Sequence, residues 1–369
     1  MAKKKSLVST EASPLPRSDW PQWRGAYRDG LCEALPEHLR DAELAWKLPL
    51  PNQGIGGIAV MEDFVVVSSR DREDRQDVFS CLDAQTGVAF WQHAYAAPGN
   101  LDYGNSPRAT PVIFDPYVIV LGAFGDLYAL DLESGDVVWK KNLIRDLDGT
   151  LPQWGYSASP IVVEEKIIVQ PGGANSSIVA LDLKSGEIVW RTPGRRAAYA
   201  SPVVYQTAGT NQIIGFDAMA VVAWDASNGN KLWEVKPSVK NDFNVPSPVL
   251  VPGGMMLTSE NNATRFHRFD TKGGLSEAPT AEFLELAGDS HTPIQLGNRL
   301  IGVDRDLMVL DLDRSLELVA KHSDPSLLGY CSLIGCGDRV LVTCEDGNVL
   351  LLQLESAKIH ELGRLRVGG

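Results

Sequence analysis

The chain has 369 residues, of which 44% are hydrophobic and 22% charged, a composition typical of a folded globular protein with one large domain or two ordinary ones. Its formal net charge of −13 argues against a general nucleic-acid binder, because phosphate binding needs a basic face. The sequence contains no apolar run of about 18 residues, so it predicts no transmembrane segment.

The N-terminal part of the chain lies outside any repeat. Residues 1–18 begin Met-Ala-Lys-Lys-Lys and continue with Ser, Thr and Pro, which predicts a disordered tail. The apolar stretch of a signal peptide does not follow, so no signal peptide is visible. Residues 19–43 are predicted to form a segment outside the repeats, and residues 44–369 to form one repeat domain.

One phrase recurs through this domain. It reads Ala-Leu-Asp-Leu-Glu-Ser-Gly-Asp-Val-Val-Trp at 129–139 and Ala-Leu-Asp-Leu-Lys-Ser-Gly-Glu-Ile-Val-Trp at 180–190. Weaker copies stand at 82–91 and 224–233, and eroded copies lie near Asp270, Asp311 and Gln353. The anchor positions are about 41 to 51 residues apart, a period typical of a solenoid or a propeller.

Each repeat predicts four short strands. In residues 106–141 the predicted strands are 109–114, 117–121, 127–132 and 137–141, with turn signals between them. The sequence therefore predicts an all-β fold: a β-propeller of four-stranded antiparallel blades, with seven blades and, as the alternative, eight.

The recurring residues have mechanical roles. The aspartate is expected to close the third strand and accept backbone N–H bonds of the following turn. Gly87, Gly135, Gly186 and Gly229 are expected to adopt positive φ. The tryptophan four residues later is expected to bury its ring between neighbouring blades.

Closure of the ring has two solutions. Residues 44–48, around Trp46, resemble a lone fourth strand, and such a strand can complete the last blade of a propeller. If residues 360–367 supply that fourth strand instead, the Trp46 strand would pair with an eighth blade that this chain lacks.

Other motifs predict little chemistry. Residues 54–59 match Gly-x-Gly-x-x-Ala without a strand–helix context and predict a loop. The charged run 71–77 predicts a solvated hairpin tip. The five cysteines are expected to be mostly buried reduced thiols, with a Cys331–Cys336 or Cys336–Cys344 bridge as the alternative in an oxidising compartment.

The phrase Ala-Leu-Asp-x-x-Ser-Gly-x-x-x-Trp resembles the repeat of pyrroloquinoline-quinone (PQQ)-like propellers. That superfamily includes quinoprotein alcohol dehydrogenases and the lipoprotein scaffold of the bacterial outer-membrane β-barrel assembly machinery. The stretches 20–25, 107–111, 152–160 and 170–173 look closer to exported PQQ-like repeat proteins abundant in planctomycetes. The resemblance implies a periplasmic or exported location, although no export signal is visible.

The resemblance also implies where a ligand would lie. In such propellers the residues just before each first strand face the funnel of the central channel. Carried onto this chain, these segments supply arginine, aromatic, amide and imidazole groups that suit a flat anionic ligand or a peptide. The candidate binding residues are Tyr103, Asn105, Arg108, Trp154, Tyr156, Arg195, Arg196, Tyr199, Asn244, His291 and Tyr330.

Two functions follow, and a third class stays open. The first is a non-catalytic binding or scaffold propeller, without catalytic residues or cofactor, which presents its funnel to a protein, a peptide or a small ligand and is expected to be a monomer. The second is a quinoprotein-like oxidoreductase that uses PQQ and Ca²⁺ on alcohols or sugars. Against the second, the chain lacks an adjacent Cys-Cys pair and a recognisable spacing of Ca²⁺ ligands. A purely structural assembly module would expose apolar surface at a blade edge or at residues 19–43.

Overall fold

The computed structural model describes residues 16–207 and 209–367, and in this part of the chain it forms seven four-stranded sheets. All pairings within the sheets are antiparallel, and each sheet takes its strands in chain order. The sheets are numbered here as blades 1–7. The predicted all-β fold with seven blades is confirmed, and most of the predicted disordered tail lies outside the described residues.

Blades 1–4 have regular, short strands. Their bounds are β1 Ala59–Met61, β2 Phe64–Arg70, β3 Gln76–Asp83 and β4 Ala89–Ala96; β5 Val112–Phe114, β6 Tyr117–Leu121, β7 Asp126–Asp131 and β8 Val137–Asn142; β9 Ile161–Val163, β10 Lys166–Val169, β11 Ile178–Asp182 and β12 Ile188–Thr192; β13 Val203–Thr207, β14 Thr210–Phe216, β15 Val221–Asp225 and β16 Lys231–Val235.

Blades 5–7 carry the eroded repeats. Their bounds are β17 Val249–Val251, β18 Gly254–Ser259, β19 Ala263–Arg268 and β20 Ala281–Phe283; β21 Ile294–Leu296, β22 Arg299–Asp304, β23 Asp306–Asp311 and β24 Glu317–Ser323; β25 Cys331–Cys336, β26 Arg339–Cys344, β27 Asn348–Leu354 and β28 Ile359–Arg366. The helical content of the described residues is one 3₁₀ turn, Pro325–Leu328, and no helix there could cross a membrane.

The hydrophobic core is divided among the seams between blades. Six apolar clusters each join two successive blades, from the blade 1–2 seam to the blade 6–7 seam. In the blade 2–3 seam, for example, Ile119 and Leu127 pack against Ile167 and Val179, all fully buried. None of these six clusters, drawn from the described residues, joins blade 7 to blade 1.

At each regular seam the recurring phrase places a tryptophan of one blade against the turn of the next blade. This arrangement is here called the tryptophan clasp. Asp131 accepts the backbone N–H of Glu133 and Ser134 at 3.1 and 2.9 Å, and Gly135 has φ +75°. The Trp91 ring of the preceding blade lies on Gly135 and donates Nε1–H to the Leu132 carbonyl at 2.8 Å. The turn, glycine and tryptophan predictions are confirmed, and a second reason for glycine emerges: a Cβ at Gly135 would lie 2.6 Å from the indole.

Ring closure follows the second of the two predicted solutions. Strand β28 completes blade 7, so residues 44–48 do not, and they form no strand. Trp46 nevertheless lies on Gly87 of blade 1 and donates Nε1–H to the Ala84 carbonyl at 2.9 Å. It therefore forms the clasp that a preceding blade would have supplied.

The other side of this seam is filled differently. In blade 7 the position opposite Leu351, which a tryptophan occupies in regular blades, is Gly363. A Cβ there would meet Leu39 at 3.0–3.1 Å, and Leu39 is only 5% exposed. The N-terminal segment thus takes the space that a tryptophan ring would fill.

The cysteine predictions are partly wrong. All five thiols are free, but only Cys81 is buried, and the other four are half-buried. Cys331 and Cys336 stand at opposite ends of β25, too far apart along an extended strand for the predicted bridge. The residue opposite Cys344 is Cys331, not Cys336, because the β25–β26 register pairs them.

Candidate functional site

The antiparallel order of each blade puts two kinds of connection on opposite ends of the propeller. The connections from one blade to the next and the second-to-third strand turns lie on one side, here called the funnel face. The repeated Asp–Gly turns and the first-to-second strand turns lie on the other, here called the turn face. All eleven predicted site residues come from connections on the funnel face.

Three of the predicted aromatic residues meet in one cluster. Trp154 is at the centre, with the ring centroid of Tyr199 at 5.1 Å and that of Tyr103 at 6.2 Å. Phe243, which the sequence reasoning did not single out, completes the cluster at 4.4 Å from Trp154. Tyr103 is 68% and Phe243 46% exposed. These four residues, here called the aromatic cluster, therefore form a solvent-exposed apolar surface.

Arg108 and Tyr330 adjoin this surface. Arg108 donates to the carbonyls of Ser106, Asp102 and Gly104 at 2.7–2.9 Å, and in the described part of the chain it has no carboxylate partner. Burial lowers the pKa of Arg108, and burial raises that of Tyr199 while the Arg108 charge opposes the rise. Tyr330 is 56% exposed.

Two predicted aromatic and amide residues serve the interior instead. Tyr156 is 3% exposed, packs in the blade 2–3 cluster and donates its hydroxyl to the Pro171 carbonyl at 2.9 Å. Asn105 is 7% exposed, accepts from Leu101 N–H and donates to Asp74 at 2.6 Å. Neither side chain offers its polar atoms to a ligand in this structure.

Asn244 and His291 also hold the scaffold. Asn244, at φ +54° and 2% exposed, donates to the Asp217 carbonyl at 3.3 Å. His291 Nε2 accepts the backbone N–H of Cys331 at 3.0 Å, so the neutral ring carries its proton on Nδ1. Burial lowers the pKa of His291. The structure therefore brings neither residue into the aromatic cluster.

Arg195 and Arg196 line a separate depression between the connections of blades 3 and 4. This depression has a volume of about 400 Å³ and also includes Ala218 and Met219. Arg195 is neutralised by Asp217 at 2.7 Å and by Glu234 at 3.0 Å. Arg196 is exposed and makes no ion pair among the described residues.

The central channel is closed by a segment that the sequence placed outside the propeller. Trp20 pairs with Val60 of β1, and Ile113 of β5 donates its N–H to the Pro21 carbonyl at 2.7 Å. Leu31 pairs with Gly335 of β25. Residues 20–31, here called the plug, therefore cross the channel from blades 1 and 2 to blade 7.

Two arginines fasten the plug. Arg24 donates to the carbonyls of Thr292 and Pro293 at 2.7 Å, and Arg28 donates to those of Pro160 and Ser159 at 2.9 and 3.1 Å. Burial lowers the pKa of Arg24 to about 10 and that of Arg28 to about 9. A ligand at the funnel face therefore meets a filled channel rather than an open one.

The wall around the plug carries a repeated signal that the sequence reasoning missed. A Ser-Pro or Thr-Pro pair opens the first strand of five successive blades. Along Thr110, Ser159, Ser201, Ser247 and Thr292, the backbone N–H of each of the first four donates to the hydroxyl of the next residue in the series at 2.9–3.0 Å. This hydroxyl belt fixes the spacing of the connections that hold the site residues.

The charged run 71–77 is not a simple solvated tip. Arg70 and Asp77 are 1% and 0% exposed and form an ion pair at 2.7 Å. Asp74 adds a second ion pair at 2.8 Å, and the Tyr95 hydroxyl donates to Asp77 at 2.9 Å. The solvated-tip prediction holds for 72–76, which are exposed. The missed signal is the hairpin register, which places Arg70 directly opposite Asp77.

The oxygen donors of the funnel face do not fit a Ca²⁺ and PQQ site. Asp242, a buried carboxylate in a funnel-face connection, already accepts bonds from Asn261 and Asn262 at 2.6–3.0 Å. In the described ranges the one metal-like group of acidic and histidine side chains is His322, Asp324 and Glu361, where Arg364 pairs with both carboxylates. No step involving PQQ or Ca²⁺ follows from these residues.

Comparison with known proteins agrees with the fold. The family model described as "Outer membrane protein assembly factor BamB" matches residues 39–146 and 74–321. BamB of Yersinia pestis is 21% identical over 237 residues, which are 63% of this chain and 55% of that protein. The dehydrogenase subunit of the quinone alcohol dehydrogenase of Gluconacetobacter polyoxogenes is 26% identical over 47% of this chain but only 25% of its own length.

Solved structures give the same two kinds of neighbour. BamB from Moraxella catarrhalis superposes with a TM-score of 0.61 at 18% identity, covering 85% of this chain and 88% of that one. Quinohemoprotein alcohol dehydrogenase from Comamonas testosteroni superposes with a TM-score of 0.69 at 15% identity, covering 97% and 74%. At these identities the superpositions show the fold alone. Since its matching model spans more than half of the residues, the chain belongs to the PQQ-repeat family of the outer membrane protein assembly factor BamB.

Proposed function

We propose that this protein is a non-catalytic propeller that binds a segment of a protein partner on its funnel face. The observation that carries the proposal is the aromatic cluster: Tyr103 and Phe243 are exposed around a half-buried Trp154. Aromatic groups with a neighbouring arginine are the residue types that dominate protein interfaces. Arg108, which lacks a carboxylate partner among the described residues, supplies the polar contact.

The filled channel supports a shallow contact rather than a deep cofactor pocket. The plug occupies the space below the funnel face, and Asn105 and Asn244 use their amides internally. The matching family is described as an outer membrane protein assembly factor, a role that involves contact with other proteins. We infer an exported location on the same ground.

The test uses affinity capture from the source cells with three proteins: wild type, Trp154→Ala/Phe243→Ala, and Phe90→Ala. Phe90 is 48% exposed on an outer strand of blade 1 and so is a matched control for the loss of an exposed ring. We expect wild type and Phe90→Ala to capture a partner that the double variant does not capture. The purified partner should then bind wild type and Phe90→Ala more tightly than the double variant. Equal capture by all three proteins would overturn the proposal.

A quinoprotein-like oxidoreductase is the second candidate, favoured only by the relatives named as quinone alcohol dehydrogenases. The chain spans about a quarter of the length of that subunit. EDTA-stripped protein titrated with PQQ, with and without Ca²⁺, separates the two functions. We expect no change in absorbance or melting temperature, whereas a Ca²⁺-dependent stabilisation, about 2.7 kcal/mol at 100-fold over the dissociation constant, would establish a PQQ site.

A further inference from the structure

Four of the five cysteines lie in two facing pairs, one at each end of strand β25. Cys331 opens this strand and Cys336 closes it. Cys331 faces Cys344 of β26, and Cys336 lies beside Cys32 of the N-terminal segment. The fifth, Cys81, is 0% exposed in the blade 1–2 cluster, away from both pairs.

The first pair stands at the position in an antiparallel ladder where side chains come closest. Glu345 N–H donates to the Tyr330 carbonyl at 2.8 Å, so the neighbouring pair carries the ladder bond. Cys331 N–H points away from β26, to His291, which marks Cys331 and Cys344 as a non-hydrogen-bonded pair. Their sulfur atoms are 3.8 Å apart, and Cα separations at such positions, about 4.5 Å, lie within the range of disulfides.

The second pair is set by a parallel bridge. Leu31 pairs with Gly335, and the bonds from Cys32 N–H to the Gly335 carbonyl and from Gly335 N–H to the Gly30 carbonyl measure 3.0 and 2.9 Å. Cys32 and Cys336 are the next residues along this bridge, so their side chains project to the same side. Both thiols contact adjoining carbonyls, Cys336 that of Glu33 at 3.2 Å and Cys32 that of Ala34 at 3.3 Å.

We propose that in an oxidising compartment the protein carries two disulfides, Cys331–Cys344 and Cys32–Cys336, with Cys81 as its free thiol. In forming each bond, two thiols lose two protons and two electrons. A disulfide oxidant such as oxidised glutathione accepts them and becomes two molecules of glutathione. The first bond links two adjacent strands of blade 7. The second ties the end of the plug to the same blade, next to Leu31, which packs against the blade 6–7 cluster.

The thiols are half-buried, and burial raises the pKa of Cys331 to about 12 and raises that of Cys344 and Cys32. Because the thiolate is the attacking species, oxidation is slow and has to be followed to its end point. The reduced protein is therefore incubated with oxidised glutathione until the thiol count, measured in denaturant, no longer changes. We expect a fall from five thiols to one.

Peptide mapping then identifies the partners. Trypsin leaves Cys331 and Cys336 in one peptide, because no Lys or Arg separates them, so two variants resolve the pairing. In Cys336→Ser the peptide with Cys331 should be linked to the one with Cys344, and Cys32 should be free. In Cys331→Ser the peptide with Cys336 should be linked to the one with Cys32, and Cys344 should be free.

The consequence for the plug is tested by limited proteolysis. Oxidised wild type should resist cleavage in the N-terminal segment and melt at a higher temperature than the reduced protein. Cys32→Ser should lose the protection of the segment, whereas Cys81→Ser, the matched control, should retain it. A final count of five thiols, or a Cys331–Cys32 or Cys336–Cys344 linkage, would overturn the proposal.

Discussion

The seam between blades 1 and 2 and the seam between blades 7 and 1 solve the same packing problem with different parts. At the first, a buried Trp91 clasps Gly135 and an apolar cluster of both blades surrounds it. At the second, Trp46 makes the same clasp on Gly87 but stands on a segment without strand pairing. The clasp therefore survives although blade 7 carries Gly363 at the position of the tryptophan.

The difference shows which part of the repeat is local and which is cooperative. The aspartate turn needs only its own blade, since Asp83 accepts N–H bonds of Gln85 and Thr86 at 3.1 and 2.7 Å. The ring of the tryptophan needs a neighbour, and an extended segment serves as well as a sheet. What the segment cannot supply is the cluster of apolar side chains from two packed blades.

Removal of one indole from a regular seam and of one from the N-terminal seam should show the difference between the two kinds of seam most clearly. Trp139→Ala, at the blade 2–3 seam, should lower the free energy of unfolding by about 3–5 kcal/mol, because Trp139 is 8% exposed inside an apolar cluster. Trp46→Ala should cost about 1–2 kcal/mol, since its ring is only half-buried. Equilibrium urea unfolding measures both. Equal losses would mean that the N-terminal seam is as cooperative as a regular one.

The plug offers the next largest effect. Arg28→Ala leaves the carbonyls of Ser159 and Pro160 without their donor, at about 1–3 kcal/mol for each unsatisfied group. The same variant should let proteases cut the N-terminal segment. Arg17→Ala is the control, because a half-exposed ion pair with Asp29 is worth about 0–1 kcal/mol. Unchanged stability and protease resistance in Arg28→Ala would show that the plug is not held by this arginine.

The two clasped glycines give a smaller, differential effect. Gly135→Ala and Gly87→Ala share the cost of a positive φ, about 1–2 kcal/mol, and in both a Cβ would lie 2.6 Å from an indole. Trp46 can shift with its segment, whereas Trp91 is fixed in its cluster. We therefore expect Gly135→Ala to lose about 1–3 kcal/mol more than Gly87→Ala in the same unfolding assay. A reversed order would mean that the N-terminal segment is the more rigid of the two.

Much of the fold was predictable because it repeats. The aspartate, glycine and tryptophan recur at fixed spacing, so strand order, turn type and inter-blade packing follow from the phrase. The convergence of Tyr103, Trp154 and Tyr199 follows from the same rule, since each stands in a connection between blades. Phe243 occupies such a connection too and carried the same signal.

The rest lacked a period. Residues 20–31 have no internal repeat, and nothing local shows that Arg24 and Arg28 meet carbonyls of blades 6 and 3, far along the chain. Trp154 and Tyr156 differ by two positions, yet one is half-buried at the surface and the other is in the core. Gly155, at φ +77°, turns the chain between them, and so the direction of a loop side chain depended on tertiary packing.

The smallest effect concerns pH. At the blade 3–4 connection Arg195 is tied to blade 4 by Glu234, whose burial alone would raise its pKa; bonds from Lys231 and Arg195 hold that pKa at about 2 instead. A carboxylate whose pKa is depressed on folding stabilises the protein above its unfolded value, about 4.3, and loses this contribution as the pH falls through the folded value. The plug is held by bonds to carbonyls, which do not titrate in this range.

We therefore expect Glu234→Gln to be less stable than wild type at neutral pH and the difference to vanish as the pH falls from about 4.3 to about 2. Urea unfolding of both proteins across this range measures it. Trp46→Ala, which involves no titrating group, should keep the same difference from wild type throughout. A Glu234→Gln difference that stays constant with pH would show that the contribution of Glu234 does not come from its charge.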